Sequence, residues 1–320
     1  MKVPKHILLF ILAALAAVSC SSGKLLCRAV LNPPRPVYYN IKDARKMEEG
    51  RFPGLMAWYD SLKKETVFRD TFIVNNTGIA LHAVFAESQE KKGAAIILHG
   101  YGVNHIAMLH LARVYRDSLG FSVLLPDLQY HGLSGGNSVR MGWDDRLDVR
   151  QWVDVAHSFI GGDFVIVHGV SMGGATTMML SGEPDLPEYL RGFISDCGYT
   201  SVWDEFCYLE TRSPFTMKSL EKANKYCKQT YGWDFHEASS VLQLEKSEKP
   251  VFFIHGDGDT FVPTNFANEC YDAKQNGHKE LWVVKDAPKH AQAYRTRPDE
   301  YLAHLRSFIS RLVTDCQVNE

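Results

Sequence analysis

Asp163-Phe164-Val165-Ile166-Val167-His168-Gly169-Val170-Ser171-Met172-Gly173-Gly174-Ala175-Thr176-Thr177-Met178-Met179-Leu180 decides the fold. The β-branched apolar run ending at His168 reads as a buried strand. The small and then apolar run from Gly174 to Leu180 reads as a helix packed close against it. Between them, Gly169-Val170-Ser171-Met172-Gly173 puts a serine on a sharp strand-to-helix turn, a nucleophile elbow. Such a turn is strained and needs small residues on both sides of the serine. The helix behind it offers unpaired backbone N–H groups to a developing oxyanion. The same pattern recurs as Gly132-Leu133-Ser134-Gly135-Gly136. That copy follows a polar loop and runs into Asn137-Ser138 with no helix behind it. Context selects Ser171.

Strand and helix signals alternate on both sides of the elbow. Thr66 to Val74 reads as a strand, and Ile79, Leu81, Ala83 and Phe85 recur at period two across a second. Asn75-Asn76-Thr77-Gly78 between them is a hairpin turn signal. Ala94–Leu98 and Phe121–Leu125 are further apolar strands, with a helical pattern over Ile106 to Leu119 between them. Trp143 to Ile160 reads as a helix whose Asp144 and Asp145 suit the positive end of its dipole. Gly192–Ser195, Val251–Ile254 and Leu281–Val284 continue the strands, and helices are expected around Asn265 to Lys274 and over Tyr301 to Val313. A hairpin followed by repeated βα units predicts an α/β fold, a mostly parallel sheet with helices on both faces.

At 320 residues the chain can bury a sizeable core. Its net charge of −2 and pI near 6.7 leave no electrostatic footprint for nucleic acid. The N-terminus has a distinct character. Lys2 and Lys5 precede an apolar run from Ile7 to Val18, short for a bilayer span but suited to a signal peptide. Ala16-Ala17-Val18-Ser19-Cys20 resembles a bacterial lipobox, in which the cysteine is lipidated, although Ala17 stands where leucine is usual. Plain secretion and an uncleaved anchor are the alternatives to lipidation at Cys20. Ser21-Ser22-Gly23-Lys24 then reads as a short polar tether, and a helical patch is expected around Ala44 to Leu62. Export would let some of Cys27, Cys197, Cys207, Cys227, Cys270 and Cys316 pair, with a local bridge among Cys197, Cys207 and Cys227 one option. Burial as small apolar residues is the other. No cysteine or histidine spacing points to a metal, and no cofactor is expected.

A serine hydroxyl needs a base to become a nucleophile, and the base needs an orienting carboxylate. In a parallel sheet both belong on loops after strand C-terminal ends. Two loops supply them: His255-Gly256-Asp257-Gly258-Asp259-Thr260-Phe261-Val262-Pro263, and Lys285-Asp286-Ala287-Pro288-Lys289-His290-Ala291. The chain order Ser, Asp, His is the one expected of an α/β-hydrolase.

From about residue 65 to 315 the chain resembles the α/β-hydrolase family, particularly its bacterial esterase-like and serine-aminopeptidase-like members. His99-Gly100-Tyr101-Gly102 looks like the family's oxyanion loop. Asp127 to Ser134 (DLQYHGLS) resembles its D-x-R-G-H-G-x-S loop, with Gln129 and Tyr130 in place of Arg-Gly. That accounts for the second G-x-S-x-G as a structural loop. His255 to Pro263 is similar to H-G-x-x-D-x-x-V-P. The resemblance implies Ser171 as nucleophile, Asp259 as orienting acid and His290 as base, with backbone N–H groups of Tyr101 and Met172 as the oxyanion hole. It sets Asp257 aside as a loop brace. His99, His255 and His168 are expected in orienting or core roles, and His278 lies at the wrong end of its strand.

The expected organisation is a signal peptide over 1–20, a tether and helical segment over 21–65, and an α/β-hydrolase domain over 66–315. Residues 198–248 interrupt the alternation and are expected to form a lid. Most of Trp203, Phe206, Tyr208, Phe215, Tyr226, Tyr231, Trp233 and Phe235 should pack as a satellite core, with one or two facing the cleft. The expected activity is hydrolysis of a carboxylic ester through an acyl-enzyme, with an aminopeptidase or amidase on the same residues as the runner-up and a non-catalytic binding lipoprotein as the third reading. The partners expected are a small-molecule or acyl substrate with an apolar or aromatic group, no nucleic acid, and a membrane through a lipid on Cys20.

Overall fold

A computed structural model describes residues 23–34, 40–160, 164–211 and 216–317. The expected leader with Cys20, and Phe215 of the 198–248 segment, lie outside them. Eight strands form one sheet: β1 (Phe68–Val74), β2 (Ala80–Ala86), β3 (Ala94–Leu98), β4 (Ser122–Pro126), β5 (Val165–Val170), β6 (Leu190–Asp196), β7 (Val251–Gly256) and β8 (Lys279–Val284). Their spatial order is β1-β2-β4-β3-β5-β6-β7-β8. β1 pairs with β2, and β2 with β4, antiparallel; every other pairing is parallel. The central strands β3, β4, β5 and β7 are buried along their whole length. That is why their sequences read as continuous apolar runs rather than alternations. β1, at an edge, leaves Phe72 and Val74 exposed.

The helices are α1 (Gly23–Leu31), α2 (Ile41–Arg51), α3 (Leu55–Lys64), α4 (Leu109–Arg113), α5 (Asp145–Ile160), α6 (Met172–Ser181), α7 (Val202–Glu210), α8 (Met217–Tyr231), α9 (Ser240–Leu244), α10 (Asn265–Ala273), α11 (Ala293–Thr296) and α12 (Pro298–Gln317). Two cores flank the sheet. One gathers Trp152 of α5, Met179 of α6, Phe266 of α10, and Trp233 and Phe235 of the 198–248 segment. The other gathers Tyr59 of α3, Tyr115, and Tyr301 and Phe308 of α12.

Three local expectations change. The patch expected around Ala44 to Leu62 is two helices, because Pro53 cannot donate to the helix ladder and Gly54 takes a left-handed φ of 82° as the cap of α3. The helix expected over Ile106 to Leu119 is a 3₁₀ turn (His105–Met108), then α4, then a π turn (Val114–Ser118). The 3₁₀ turn begins where the Asn104 side chain accepts the Ile106 N–H at 3.1 Å. Finally, Gly23 and Lys24 open α1, which packs along α8 of the 198–248 insertion. Leu26, Cys27 and Leu31 are buried in the same core as Leu220, Ala223 and Cys227 of α8, so this part of the N-terminal segment is a packed element.

Candidate active site

Ser171 follows the last residue of β5 and precedes the first of α6. Its backbone sits at φ 59°, ψ −120°, a conformation costly for a residue with a side chain and kept only when its surroundings fix it. Those surroundings are backbone. The Ser171 N–H donates to the Asp196 carbonyl at 2.8 Å, and the Ser171 carbonyl accepts the Ala175 N–H at 3.0 Å. A Cβ on Gly169 would lie 1.9 Å from the Gly173 carbonyl oxygen, and one on Gly173 would lie 2.4 Å from that of Leu98. Strand and helix approach so closely that only glycine fits on either side of the serine.

The loops after β7 and β8 bring Asp259 and His290 to this turn. His290 Nε2 lies 2.7 Å from Ser171 Oγ, and His290 Nδ1 lies 2.6 Å from Asp259 Oδ2. A carboxylate only accepts, so Nδ1 carries the proton and Nε2 is left to accept the serine hydroxyl. Asp259 Oδ1 accepts the N–H groups of Phe261 at 2.9 Å and Val262 at 3.1 Å, which fixes the carboxylate plane. Burial works to raise the Asp259 pKa, but His290 and His255 beside it hold the group well below the usual carboxylate range. The anion therefore persists at neutral pH. This arrangement can draw the proton from Ser171 and stabilise the imidazolium that results.

The remaining sequence candidates have other partners. His255 Nε2 donates to the Val262 carbonyl at 3.0 Å and orients the acid loop. Asp257 accepts the Ala287 N–H at 3.2 Å, tying the acid loop to the His290 loop. His168 is buried between the hydroxyls of Tyr115 and Tyr301, each 3.0 Å away, and burial pushes its pKa down to about 3. His278 pairs with Glu280. Ser134 Oγ donates to the Asp127 carbonyl and accepts the His82 N–H, so the second G-x-S-x-G serves a loop.

Two histidines hold the loop after β3. His99 Nδ1 donates to the Gly100 carbonyl at 2.8 Å and its Nε2 accepts the Leu128 N–H at 3.0 Å. His131 Nε2 accepts the Gly102 N–H at 3.1 Å. Gly100 lies against Ser171, since a Cβ there would sit 3.2 Å from Ser171 Cβ. Met172 is the first residue of α6, so its N–H has no partner within the helix. Tyr101 turns its hydroxyl to the Val30 carbonyl of α1 at 2.6 Å.

Among the described residues, His82, His105 and Asp127 converge, as do Cys197, Asp259 and His290. In both groups the carboxylate is already engaged by hydrogen bonds, from His82 and His105 in the first and from His290 in the second. Neither presents an uncommitted donor set for a cation.

Ser171 sits where two cavities meet, with Tyr101 and Phe261 shared between them. The larger runs under Phe52, Met108, Leu111 and Tyr294, and carries Glu48 and Arg51 of α2 in its wall. The smaller is bounded by Val30, Met141, Met172, Tyr199, Glu205, Phe206 and Leu209. Phe206 faces this cavity, while Trp233 and Phe235 pack in the same core as Trp152 and Met179 rather than in a satellite core of their own.

Sequence reasoning missed Glu205. It is 3% exposed, and neither carboxylate oxygen has a hydrogen-bond partner among the described residues. Burial, with the charge of Asp259 nearby, pushes its pKa well above the usual range. Its signal was a lone acid on the apolar Val202, Phe206, Leu209 stripe of α7. The walls given by α1 and α2 were missed as well, because no catalytic pattern marks them.

A model of the prolyl oligopeptidase family matches residues 134–315. The uncharacterized protein YqkD of Bacillus subtilis is 25% identical over 253 residues, covering 78% of this chain and 81% of that one. The probable carboxylic ester hydrolase LipM of Mycobacterium tuberculosis is 23% identical over 193 residues, 56% of this chain and 45% of that protein. Among solved structures, the esterase Pf2001 of Pyrococcus furiosus superposes with a TM-score of 0.62 at 22% identity, covering 78% of this chain and 95% of that one. An acylaminoacyl peptidase of Pyrococcus horikoshii gives 0.56 at 15% identity, over 79% of this chain and 43% of its own. These likenesses show the α/β-hydrolase fold. Since the family match spans more than half of the 320 residues, the chain belongs to the prolyl oligopeptidase family, within the α/β-hydrolase superfamily.

Proposed function

We propose that this protein is a serine hydrolase that cleaves a carboxylic ester. Ser171 Oγ attacks the carbonyl carbon while its proton passes to His290 Nε2. The N–H groups of Met172 and Tyr101 receive the oxyanion, His290 returns the proton to the leaving alcohol, and an acyl-enzyme remains. Water activated by His290 then adds to the acyl carbon, and the acid departs as Ser171 regains its proton. The observation that carries this reading is the unbroken relay of 2.7 Å and 2.6 Å from Ser171 through His290 to Asp259. The two cavities support it, since a substrate divided at the scissile carbonyl can place one part in each.

One observation favours a second reading, an aminoacyl ester or amide as substrate. The unpartnered Glu205 could accept a hydrogen bond from a substrate amine in the smaller cavity. A panel of aryl and acyl esters beside aminoacyl amides separates the two. Esters are expected to turn over faster, and faster amide turnover overturns the ester reading. Labelling by a fluorophosphonate probe is expected to depend on Ser171; no such adduct would point to a binding protein instead.

A further inference from the structure

We propose that Cys27 of α1 and Cys227 of α8 form a disulfide that staples the N-terminal helix to the lid. Both cysteines are free thiols in the structure, buried at 1% and 0% exposure in one core, and the Cys27 thiol beside Cys227 pushes its pKa up. The helices are built to allow it. A Cβ on Gly23 would lie 2.3 Å from the Ala223 backbone nitrogen, so the two backbones touch where only glycine permits. Cys27 stands four residues after Gly23, and Cys227 four after Ala223, so each cysteine lies one turn beyond that contact on the same helix face. Packed helices usually keep their axes about 8–10 Å apart, while a disulfide needs Cα atoms within about 7 Å. The glycine contact removes that obstacle. Cys197, which sequence proximity offers as a partner for Cys227, lies against His290 Nε2 at 3.9 Å instead.

The bond forms as the chain folds, before packing closes both sulfurs to solvent. The oxidant is the disulfide of a thiol oxidoreductase or of oxidised glutathione. One cysteine thiolate attacks it to give a mixed disulfide, and the second cysteine displaces the reduced carrier. The S–S bond of the carrier breaks as that of the protein forms, and the two thiol protons finish on the carrier. This inference does not rest on the ester reading, although it reaches the same site. Val30, on the turn after Cys27, accepts the Tyr101 hydroxyl, and both residues line the smaller cavity. The staple therefore fixes one wall of the Ser171 pocket.

The full chain can be synthesised in vitro in oxidised glutathione or in dithiothreitol, its thiols trapped with N-ethylmaleimide after denaturation, and its peptides mapped without reduction. The expected result is a linked Cys27–Cys227 peptide pair in the first sample and both cysteines labelled in the second. Equal labelling of both in the two samples, or a link from Cys227 to Cys197 or Cys207, overturns the proposal. Cys27→Ser should expose Cys227 to the label; a Cys227 that stays protected also overturns it. The oxidised protein should melt at a higher temperature than the Cys27→Ser/Cys227→Ser variant, and equal Tm values refute the stapling role.

Discussion

The main-chain carbonyl of Asp196 accepts the Ser171 N–H at 2.8 Å, so the end of β6 holds the turn at the end of β5. The Asp196 side chain meets Tyr301, whose hydroxyl donates to Oδ2 at 2.9 Å, and Oδ1 has no hydrogen-bond partner among the described residues. Burial pushes this carboxyl up to about 6. An unfolded aspartate loses its proton near about pH 3.9, while the folded one keeps it until about 6. Across that window the folded state holds the extra proton, so raising the pH removes stability. Asp145 and Glu48, both raised to about 7 by burial, add to the same trend. Asp196→Asn is neutral throughout, and calorimetry should show a flatter decline of Tm over this window than in the wild type. An unchanged slope would exclude the Asp196 carboxyl as a source.

Ser171→Ala should fold with a Tm close to the wild type, since the turn is held by backbone contacts. Its kcat on any substrate of the enzyme should fall by about 10³-fold or more. Activity near the wild-type level would remove Ser171 from the mechanism.

Two glycine substitutions should behave in opposite ways. Gly173→Ala drives a methyl into the Leu98 carbonyl, which belongs to rigid backbone, and should sharply lower Tm or the soluble yield. Gly50→Ala on α2 meets nothing within 4 Å and should stabilise by up to about 1 kcal/mol. Similar denaturation midpoints for the two variants would contradict the close packing of β3 against the elbow.

Glu205→Leu removes a buried carboxyl with no hydrogen-bond partner and should raise stability by about 1–3 kcal/mol. If Glu205 receives a substrate amine, kcat/KM for aminoacyl substrates should drop at least about tenfold while simple acyl esters change little. An equal effect on both substrate types would deny Glu205 a part in selection.

The lipidation expected at Cys20 has a direct check. A cell-envelope host fed a labelled fatty acid should transfer label to the wild type and not to Cys20→Ser. Label that persists in the variant would place the lipid elsewhere.

The strands and their order along the chain were legible because a buried parallel strand advertises itself as a short apolar run, as Val165–Val170 and Val251–Gly256 do. The approach of Ser171, Asp259 and His290 could be expected because strand ends in such a sheet face one way. What escaped was whatever depends on packing between distant segments. Nothing local in Gly23–Leu31 says that it will lie on Met217–Tyr231, and Glu205 looks like an ordinary helix acid until the fold buries it. Pro53-Gly54 did carry a stop signal inside the patch expected around Ala44 to Leu62, and the helical pattern on either side masked it.

Part of the wall of the two cavities that meet at Ser171 comes from α1, α2, α4 and α7, none of which contributes to the relay. On that part of the wall, selectivity can be altered without touching the relay. A library confined to Val30, Phe52, Met108, Glu205 and Phe206 can diversify the accepted molecule while the bond-breaking apparatus stays constant, which makes this scaffold tractable for retargeting.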